Sequence, residues 1–346
     1  MTDPIFPQQT WQSITPAEAG FNPEKLAGAK TWIDDKIGDG HYRLVIVRGG
    51  RLVIEWNHQT GRETRYGIAS AAKSIYSNVL GIVVAEGKLP TADANVIDYY
   101  PEMMDVPEGE GPKEGRYAFE KDRAITFRQL ICNTSGYMKP GEEPGQVFHY
   151  QTYGMNILTH SLAKIYGLYD IADPEGAPGF KKLVKEKIAD PIGANWAYGL
   201  KNFPLHDKAR LNIFGYYCEI QTNALDFARV GWLWRNRGRW GDKQVIPEAW
   251  IRETTVTNPN ILAHGSDDQR QYGHGFWVND HGLLWPDMPR DGFTASGAGG
   301  HYCSVFPGLD LVIVQNPGPY IRTPEGFPAR GNPDLLKLIL AAIEDR

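Results

Sequence analysis

Cysteine is scarce in this 346-residue chain, and the three present, Cys132, Cys218 and Cys303, are far apart with no Cys-x-x-Cys pair. Such spacing gives neither a disulfide framework nor a cysteine zinc site, and it fits a reducing compartment. Long hydrophobic runs are also missing. No stretch of about 18 apolar residues occurs, so no transmembrane helix and no membrane partner are expected. The opening residues, Met1-Thr2-Asp3-Pro4-Ile5-Phe6-Pro7-Gln8-Gln9, lack the basic and apolar regions of a signal peptide. The expected location is cytoplasmic, or periplasmic or secreted had a signal been removed ahead of residue 1. Strong charge of one sign is lacking too. A net charge of −5 leaves no basic footprint for nucleic acid and no polybasic face for anionic lipid.

Several catalytic signatures are absent as well. Without Gly-x-Ser-x-Gly, an α/β-hydrolase elbow is disfavoured. Without His-Glu-x-x-His or a spaced His/Cys cluster, a zinc hydrolase is disfavoured, and no metal is implied. Without Gly-x-x-x-x-Gly-Lys-Ser/Thr or Gly-x-Gly-x-x-Gly, nucleotide binding through those loops is excluded, and no organic cofactor is implied.

What is present reads as an ordinary globular chain, 42% hydrophobic and 22% charged, and long enough for a large core. Thr15-Pro16-Ala17-Glu18 suits a helix start. Pro23 to Ile37 is amphipathic, with Leu26, Ala29, Trp32, Ile33 and Ile37 on one side. Arg43–Val47 and Leu52–Trp56 are β-rich runs joined at Gly49-Gly50, a hairpin signal. Ser70 to Ala85 has almost no polar face, which predicts a helix buried on most sides, and Gly87 is its expected stop. Residues 100 to 124 read as a long polar loop, often a functional feature. Further helices are expected at Ile125–Asn133, Tyr153–Tyr166, within Gly179–Ala189, at Asn223–Asn236, after Pro247 and at Pro333–Ile343. Gly275–Val278, His301–Phe306 and Leu311–Gln315 are β-rich. Strands thus sit near both ends with helices between. The expected fold is α/β (α+β): an antiparallel sheet from N- and C-terminal strands, flanked by helices, with an inserted all-helical lobe. The expected division is 1–66 with 245–346 for the sheet part and 67–244 for the helical part.

The chemistry centres on Ser70 and Lys73. Positions i and i+3 share a helix face, so the serine hydroxyl and the lysine amine converge. A serine needs a neighbour to take its proton, and a partly desolvated lysine can do that. Tyr150, at a loop-to-helix junction, can point into a cleft and shuttle a proton to a leaving group. Ser296-Gly297-Ala298-Gly299-Gly300-His301 precedes a β-run, and its glycines allow close approach of a substrate and free N–H groups. Such an N–H, with that of Ser70, would make an oxyanion hole.

These pieces, in this order, carry a resemblance. Ser70-Ala71-Ala72-Lys73, the Leu130-Ile131-Cys132-Asn133-Thr134-Ser135-Gly136 segment, Phe148-His149-Tyr150-Gln151-Thr152 and Gly297-Ala298-Gly299-Gly300-His301 resemble the serine β-lactamase/penicillin-binding-protein-like superfamily. The class C branch, with family VIII esterases and aminohexanoate-dimer hydrolases, is the most similar. The Ala224–Arg229 and Gly238–Trp240 stretches are similar to that branch as well. The resemblance implies Ser70 as acylated nucleophile, Lys73 as base and Tyr150 as the tyrosine of a Tyr-x-Asn motif. It implies His301 as the second oxyanion donor, with Thr152, Gly299, Gly300 and His149 along the substrate cleft. Two departures matter. Thr152 stands where asparagine is usual, and Ala298-Gly299-Gly300 replaces Lys-Thr-Gly, whose lysine usually helps hold a carboxylate. The expected reaction is therefore hydrolysis of small esters or amides. A β-lactamase or D-Ala-D-Ala-type peptidase is one alternative, and a non-catalytic ligand sensor is another. Asn133 reads as structural, Trp277, Trp285 and Tyr320 as core, and self-association is left open.

Overall fold

The computed structural model describes residues 4–202 and 209–344. The outermost residues of the expected sheet part, 1–3 and 345–346, and residues 203–208 of the intervening part lie outside the described residues. The strands, in chain order, are β1 Tyr42–Arg48, β2 Arg51–His58, β3 Tyr66–Gly67, β4 Ala197–Asn202, β5 Tyr216–Thr222, β6 Arg239–Trp240, β7 Lys243–Gln244, β8 Trp277–Val278, β9 Phe293–Gly297, β10 His301–Phe306 and β11 Leu311–Gln315. The helices are α1 Pro23–Ile37, α2 Ala72–Ala85, α3 Phe127–Ile131, α4 Tyr153–Ile165, α5 Gly179–Val184, α6 Leu211–Phe214, α7 Ala224–Arg235, α8 Glu248–Thr254, α9 Pro259–His264 and α10 Pro333–Ala341.

The main sheet is antiparallel, in the order β2-β1-β11-β10-β9-β8. It joins the N-terminal hairpin directly to the C-terminal strands, as the sequence led one to expect. Gly49 and Gly50 turn that hairpin with φ of 59° and 77°, the positive values that a two-residue turn between twisted strands requires. Both faces of the sheet are covered. Leu44, Ile46, Leu311 and Ile313 face α1 and α10 through Leu26, Ile33, Leu335 and Ile339. Val45, Val47, Cys303, Val305, Val312 and Val314 face the other way, onto α7 and α2. Two-sided burial explains why β1 and β11 read as unbroken apolar runs rather than as alternating strands.

The intervening segment is helical with two additions, one of them the small β6-β7 pair. A three-stranded antiparallel sheet, β3-β5-β4, lies within it, so it is not helical throughout. The residues 100–124 also carry single 3-10 turns at Pro101–Met104 and Glu120–Ala124. Thr15 and Glu18 exchange hydrogen bonds as a cap would, but only turns follow. Gly20 adopts φ of 73°, and α1 starts later, at Pro23, capped by Asn22. Helix α2 is buried from Ala72 to Val83 and ends with Gly87 at φ of 69°. Three tethers pin it: Ser74 Oγ donates to the Gly275 carbonyl (2.7 Å), Trp250 Nε1 donates to the Ser77 carbonyl (2.8 Å), and the Tyr76 hydroxyl donates to the Cys218 carbonyl. No helix among the described residues is long and apolar enough to cross a membrane.

Candidate active site

Ser70 stands in a single 3-10 turn, Ala69–Ala71, that leads into α2. The chain reaches it from β3, which pairs with β5, and the Ile68 N–H continues that pairing by donating to the Ile220 carbonyl (3.0 Å). Ala69, just before the serine, adopts φ of 48°. For a residue with a side chain this left-handed geometry costs of order 1–3 kcal/mol and is held only by firm surroundings. The surroundings here are the small sheet on one side and the buried α2 on the other. The Ser70 N–H falls in the first turn, where backbone donors lack helical acceptors.

One turn on, Lys73 is almost fully buried, 3% exposed, and no carboxylate pairs with it among the described residues. Its Nζ donates to Ser70 Oγ at 2.9 Å and reaches Thr152 Oγ1 at 3.5 Å. The i, i+3 spacing thus yields the convergence it predicts. Nζ also lies over the Tyr150 ring, 4.8 Å from the centroid. The structure therefore gathers Ser70, Lys73, Tyr150 and Thr152.

Tyr150 is held by its loop and by aromatic neighbours. The Asn133 carbonyl accepts from His149 N (2.9 Å) and Asn133 Oδ1 accepts from Gln151 N (2.9 Å), bracketing the tyrosine. Asn133 Nδ2 in turn donates to the Tyr272 hydroxyl (2.9 Å). Tyr272 meets the Tyr150 ring edge-on at 5.9 Å, and Trp277 packs at 5.7 Å. Asn133 is structural as expected, and its backbone at φ of 57° suits asparagine better than most residues.

The strand beside the serine is β9, which is not among the β-rich runs that the sequence shows. A side chain on Gly297 would drive into the Ile68 carbonyl and approach Ala71 N within 3.1 Å, so only glycine lets β9 lie this close. Gly299 and Gly300 sit elsewhere. With φ of 86° and 75° they make the β9–β10 turn, and Gly300 packs on Gly318, whose N–H donates to the Gly300 carbonyl (2.8 Å). Turn geometry accounts for both φ values. His301 begins β10 and pairs with Gly297 across the hairpin. Its imidazole is buried, bonded through Nδ1 to Asn316 Oδ1 (2.8 Å), and burial lowers its pKa to about 4. His149 is at the rim, half exposed, and bonds Glu142 (2.9 Å). Trp285 and Trp277 are both buried, as expected, and Trp277 also lies against Tyr150, whereas Tyr320, expected in the core, is exposed.

One neighbour escaped the sequence reading. Arg330, from the segment before α10, lays its guanidinium 3.2 Å from the Trp277 ring centroid and 5.9 Å from that of Tyr150. Nothing local in the sequence marks it, since its partners lie on distant elements. Among the described residues no group of three or more His, Cys, Asp or Glu side chains is placed to hold a metal ion.

The beta-lactamase family model matches residues 39–315 of the chain. No curated protein matches it in sequence. Among solved structures, a provisionally assigned beta-lactamase from Bacteroides dorei DSM 17855 superposes with a TM-score of 0.68 at 18% identity, covering 94% of this chain and 100% of that one. A family VIII carboxylesterase gives 0.64 at 18% identity, with 92% and 96% covered. A provisionally assigned 6-aminohexanoate-dimer hydrolase from Bacillus anthracis gives 0.61 at 18% identity, with 97% and 87% covered. At such identities the likeness is one of fold.

Proposed function

The chain belongs to the beta-lactamase family, and from that premise we propose that it is a serine hydrolase cleaving small esters or amides through an acyl-enzyme on Ser70. The observation that carries this reading is the 2.9 Å contact between Lys73 Nζ and Ser70 Oγ at the head of a buried helix. As Oγ bonds to the substrate carbonyl carbon, its proton passes to Lys73 in the free-amine form. The carbonyl oxygen becomes an oxyanion, for which the Ser70 N–H is one donor.

The second donor in this reading is the Ala298 N–H rather than His301. Main-chain groups alternate sides along a strand. The Gly292 carbonyl faces β8, accepting from Asn279 N (2.9 Å), so the same side continues through Thr294 to Ser296, and the reading carries it one step past the end of β9 to Ala298. Strand β8 pairs only with Phe293 and Thr294, which leaves this edge uncovered beside Ser70. Groups on β10, where His301 lies, are one strand farther away. A preorganised donor of this kind contributes roughly 3–4 kcal/mol to transition-state binding.

Collapse of the intermediate breaks the bond to the alcohol or amine, which leaves with the proton that Tyr150 relays from Lys73. Water then attacks the acyl carbon, gives its proton to the same pair, and the carboxylic acid departs as Ser70 regains its hydrogen. The test is a turnover screen of p-nitrophenyl acyl esters, anilides and nitrocefin on the purified protein and on Ser70→Ala. Ser70-dependent ester or anilide turnover exceeding that of nitrocefin supports the reading. Preferential nitrocefin turnover would transfer it to a β-lactamase, and Ser70 labelling without turnover to a sensor.

A further inference from the structure

Strand β10 opens on an imidazole whose hydrogen is placed by its neighbours. The Thr222 carbonyl can only accept, so Asn316 turns Nδ2 toward it (2.8 Å) and Oδ1 toward His301 Nδ1 (2.8 Å). That oxygen can only accept as well, so Nδ1 carries the hydrogen and Nε2 keeps a lone pair. Burial lowers the pKa to about 4, and Arg43 and His41 push the same way, so the ring is neutral at pH 7. Nε2 has no hydrogen-bond partner among the described residues, and the neighbouring side chains do not supply one. The Tyr66 hydroxyl is bonded with Thr60 Oγ1 (2.8 Å), and its ring is stacked with His41. Arg43 spends Nε and Nη1 on the carbonyls of Asn316, Gly61, Arg62 and Thr64, and its Nη2 has no partner either.

The place of this acceptor follows from the hairpin. His301 pairs with Gly297, and the Cα of Gly297 faces the Ile68 carbonyl and Ala71 N, on either side of Ser70. Directly opposed residues present their side chains on one face, about 5 Å apart at Cβ. The imidazole therefore lies on the face of the hairpin that meets the Ser70 turn. A side chain on Gly299 would stand 3.2 Å from Nε2, so glycine there leaves that side of the nitrogen clear. Gly299 is exposed, as are Ala298 and, across the seam, Ala69. The opposite end of β9 belongs to Tyr150: Trp277, which packs on that ring, pairs with Thr294. With Tyr150 relaying the proton, the leaving group faces the Thr294 end and the acyl chain runs toward Ala298 and Gly299. A partly desolvated acceptor without a partner gains from a donor that arrives there.

We propose that the His301 side chain determines acyl specificity: its Nε2 accepts a hydrogen bond from an O–H or N–H on the acyl chain of the ester or amide cleaved at Ser70. This rests on the hydrolase reading and narrows its substrate to acyl groups that carry a donor near the carbonyl.

The experiment uses two pairs of p-nitrophenyl esters on the intact protein, His301→Phe and His301→Gln. The 3-hydroxybutyrate and 3-methylbutyrate differ by a hydroxyl for a methyl, and the N-acetylglycinate and N-acetylsarcosinate by N–H for N–CH3. The expected result is a preference for the donor-bearing ester of at least one pair, about three- to tenfold in kcat/KM, the scale of one neutral hydrogen bond. A preference in the first pair assigns an O–H donor, and in the second an N–H. In His301→Phe the ratio falls to about one. His301→Gln, whose amide can donate to Asn316 and still present an oxygen, keeps part of it. Both esters of a pair meet the same active fraction, so a folding defect does not move the ratio. No preference in either pair, or a preference that survives in His301→Phe, overturns the proposal. Calorimetric binding of the same esters to Ser70→Ala, with and without His301→Phe, separates the two claims. If no ester is turned over but the donor-bearing esters bind Ser70→Ala more tightly, and lose that margin with His301→Phe, the hydrolase reading fails and the acceptor stands. Equal binding within both pairs overturns the acceptor by itself.

Discussion

Lys73 Nζ lies over the face of the Tyr150 ring, 4.8 Å from its centroid, while the Tyr150 hydroxyl has no hydrogen-bond partner among the described residues. The amine is committed instead to Ser70 Oγ. In the proposed mechanism the lysine takes part in the first proton transfer and the tyrosine in the second.

Both residues are therefore expected to matter for kcat. Lys73→Ala removes the one side chain hydrogen-bonded to Ser70 Oγ among the described residues and should lower kcat at least about 10²-fold, the lower scale for a positioned base. Tyr150→Phe keeps the aromatic packing and loses the relay, so kcat should fall on a similar scale with KM little altered. Steady-state kinetics on one ester checks both. A Tyr150→Phe enzyme with ordinary kcat would remove the tyrosine from the mechanism.

Asn133 offers a test at one remove. Its carbonyl and side chain bracket Tyr150 through His149 N and Gln151 N. Asn133→Ala keeps the carbonyl but loses the bond to Gln151 and the tie to Tyr272. The expected outcome is a drop in kcat of about tenfold or more, as for small misplacements of reacting groups, with KM changed less. Loss of folding stability with kcat intact would contradict a positioning role.

Acid should destabilise the fold. Burial lowers the pKa of His160 and His274 to about 3 and that of His301 to about 4, against about 6.5 in an unfolded chain. Below pH 6.5 the unfolded state binds protons that these folded imidazoles do not, so stability decreases as pH falls toward 4 and gains no slope from them above pH 7. Each fully titrating histidine contributes a slope of about 1.4 kcal/mol per pH unit. Urea unfolding at pH 7 and pH 5 measures the difference, and equal midpoints would contradict the assignment.

Gly81 tests the packing beneath the site. A Cβ there would enter the Trp250 ring, in a helix whose inner turns have no room to shift. Gly81→Ala should cost about 1–3 kcal/mol by overpacking, visible as a lower Tm. An unchanged or raised Tm would show that α2 and α8 can separate.

Much of this arrangement was legible in the chain, for physical reasons. The Ser70–Lys73 contact is local, set by helical spacing alone. The buried α2 and the strands β1, β10 and β11 announce themselves because burial on both sides demands continuous apolar residues. The small sheet was passed over although β5 alternates, with Cys218, Ile220 and Thr222 buried between half-exposed neighbours. Strand β9 was hidden by its composition, Phe293-Thr294-Ala295-Ser296-Gly297, whose small residues serve close approach to the Ser70 turn rather than β propensity. His301 follows Gly300 in the sequence, and the strand register places it on β10, paired with Gly297. Arg330 had no local signal, because its contacts with Trp277 and Tyr150 join elements distant in sequence.

The central claim is that Ser70 is the nucleophile, and the most direct measurement is covalent. The intact protein is treated with a fluorophosphonate, digested, and the peptides weighed. The account predicts one phosphonyl adduct, on the peptide and residue of Ser70, lost in Ser70→Ala and slowed in Lys73→Ala. An unlabelled Ser70, or an adduct on another residue that persists in Ser70→Ala, would contradict it.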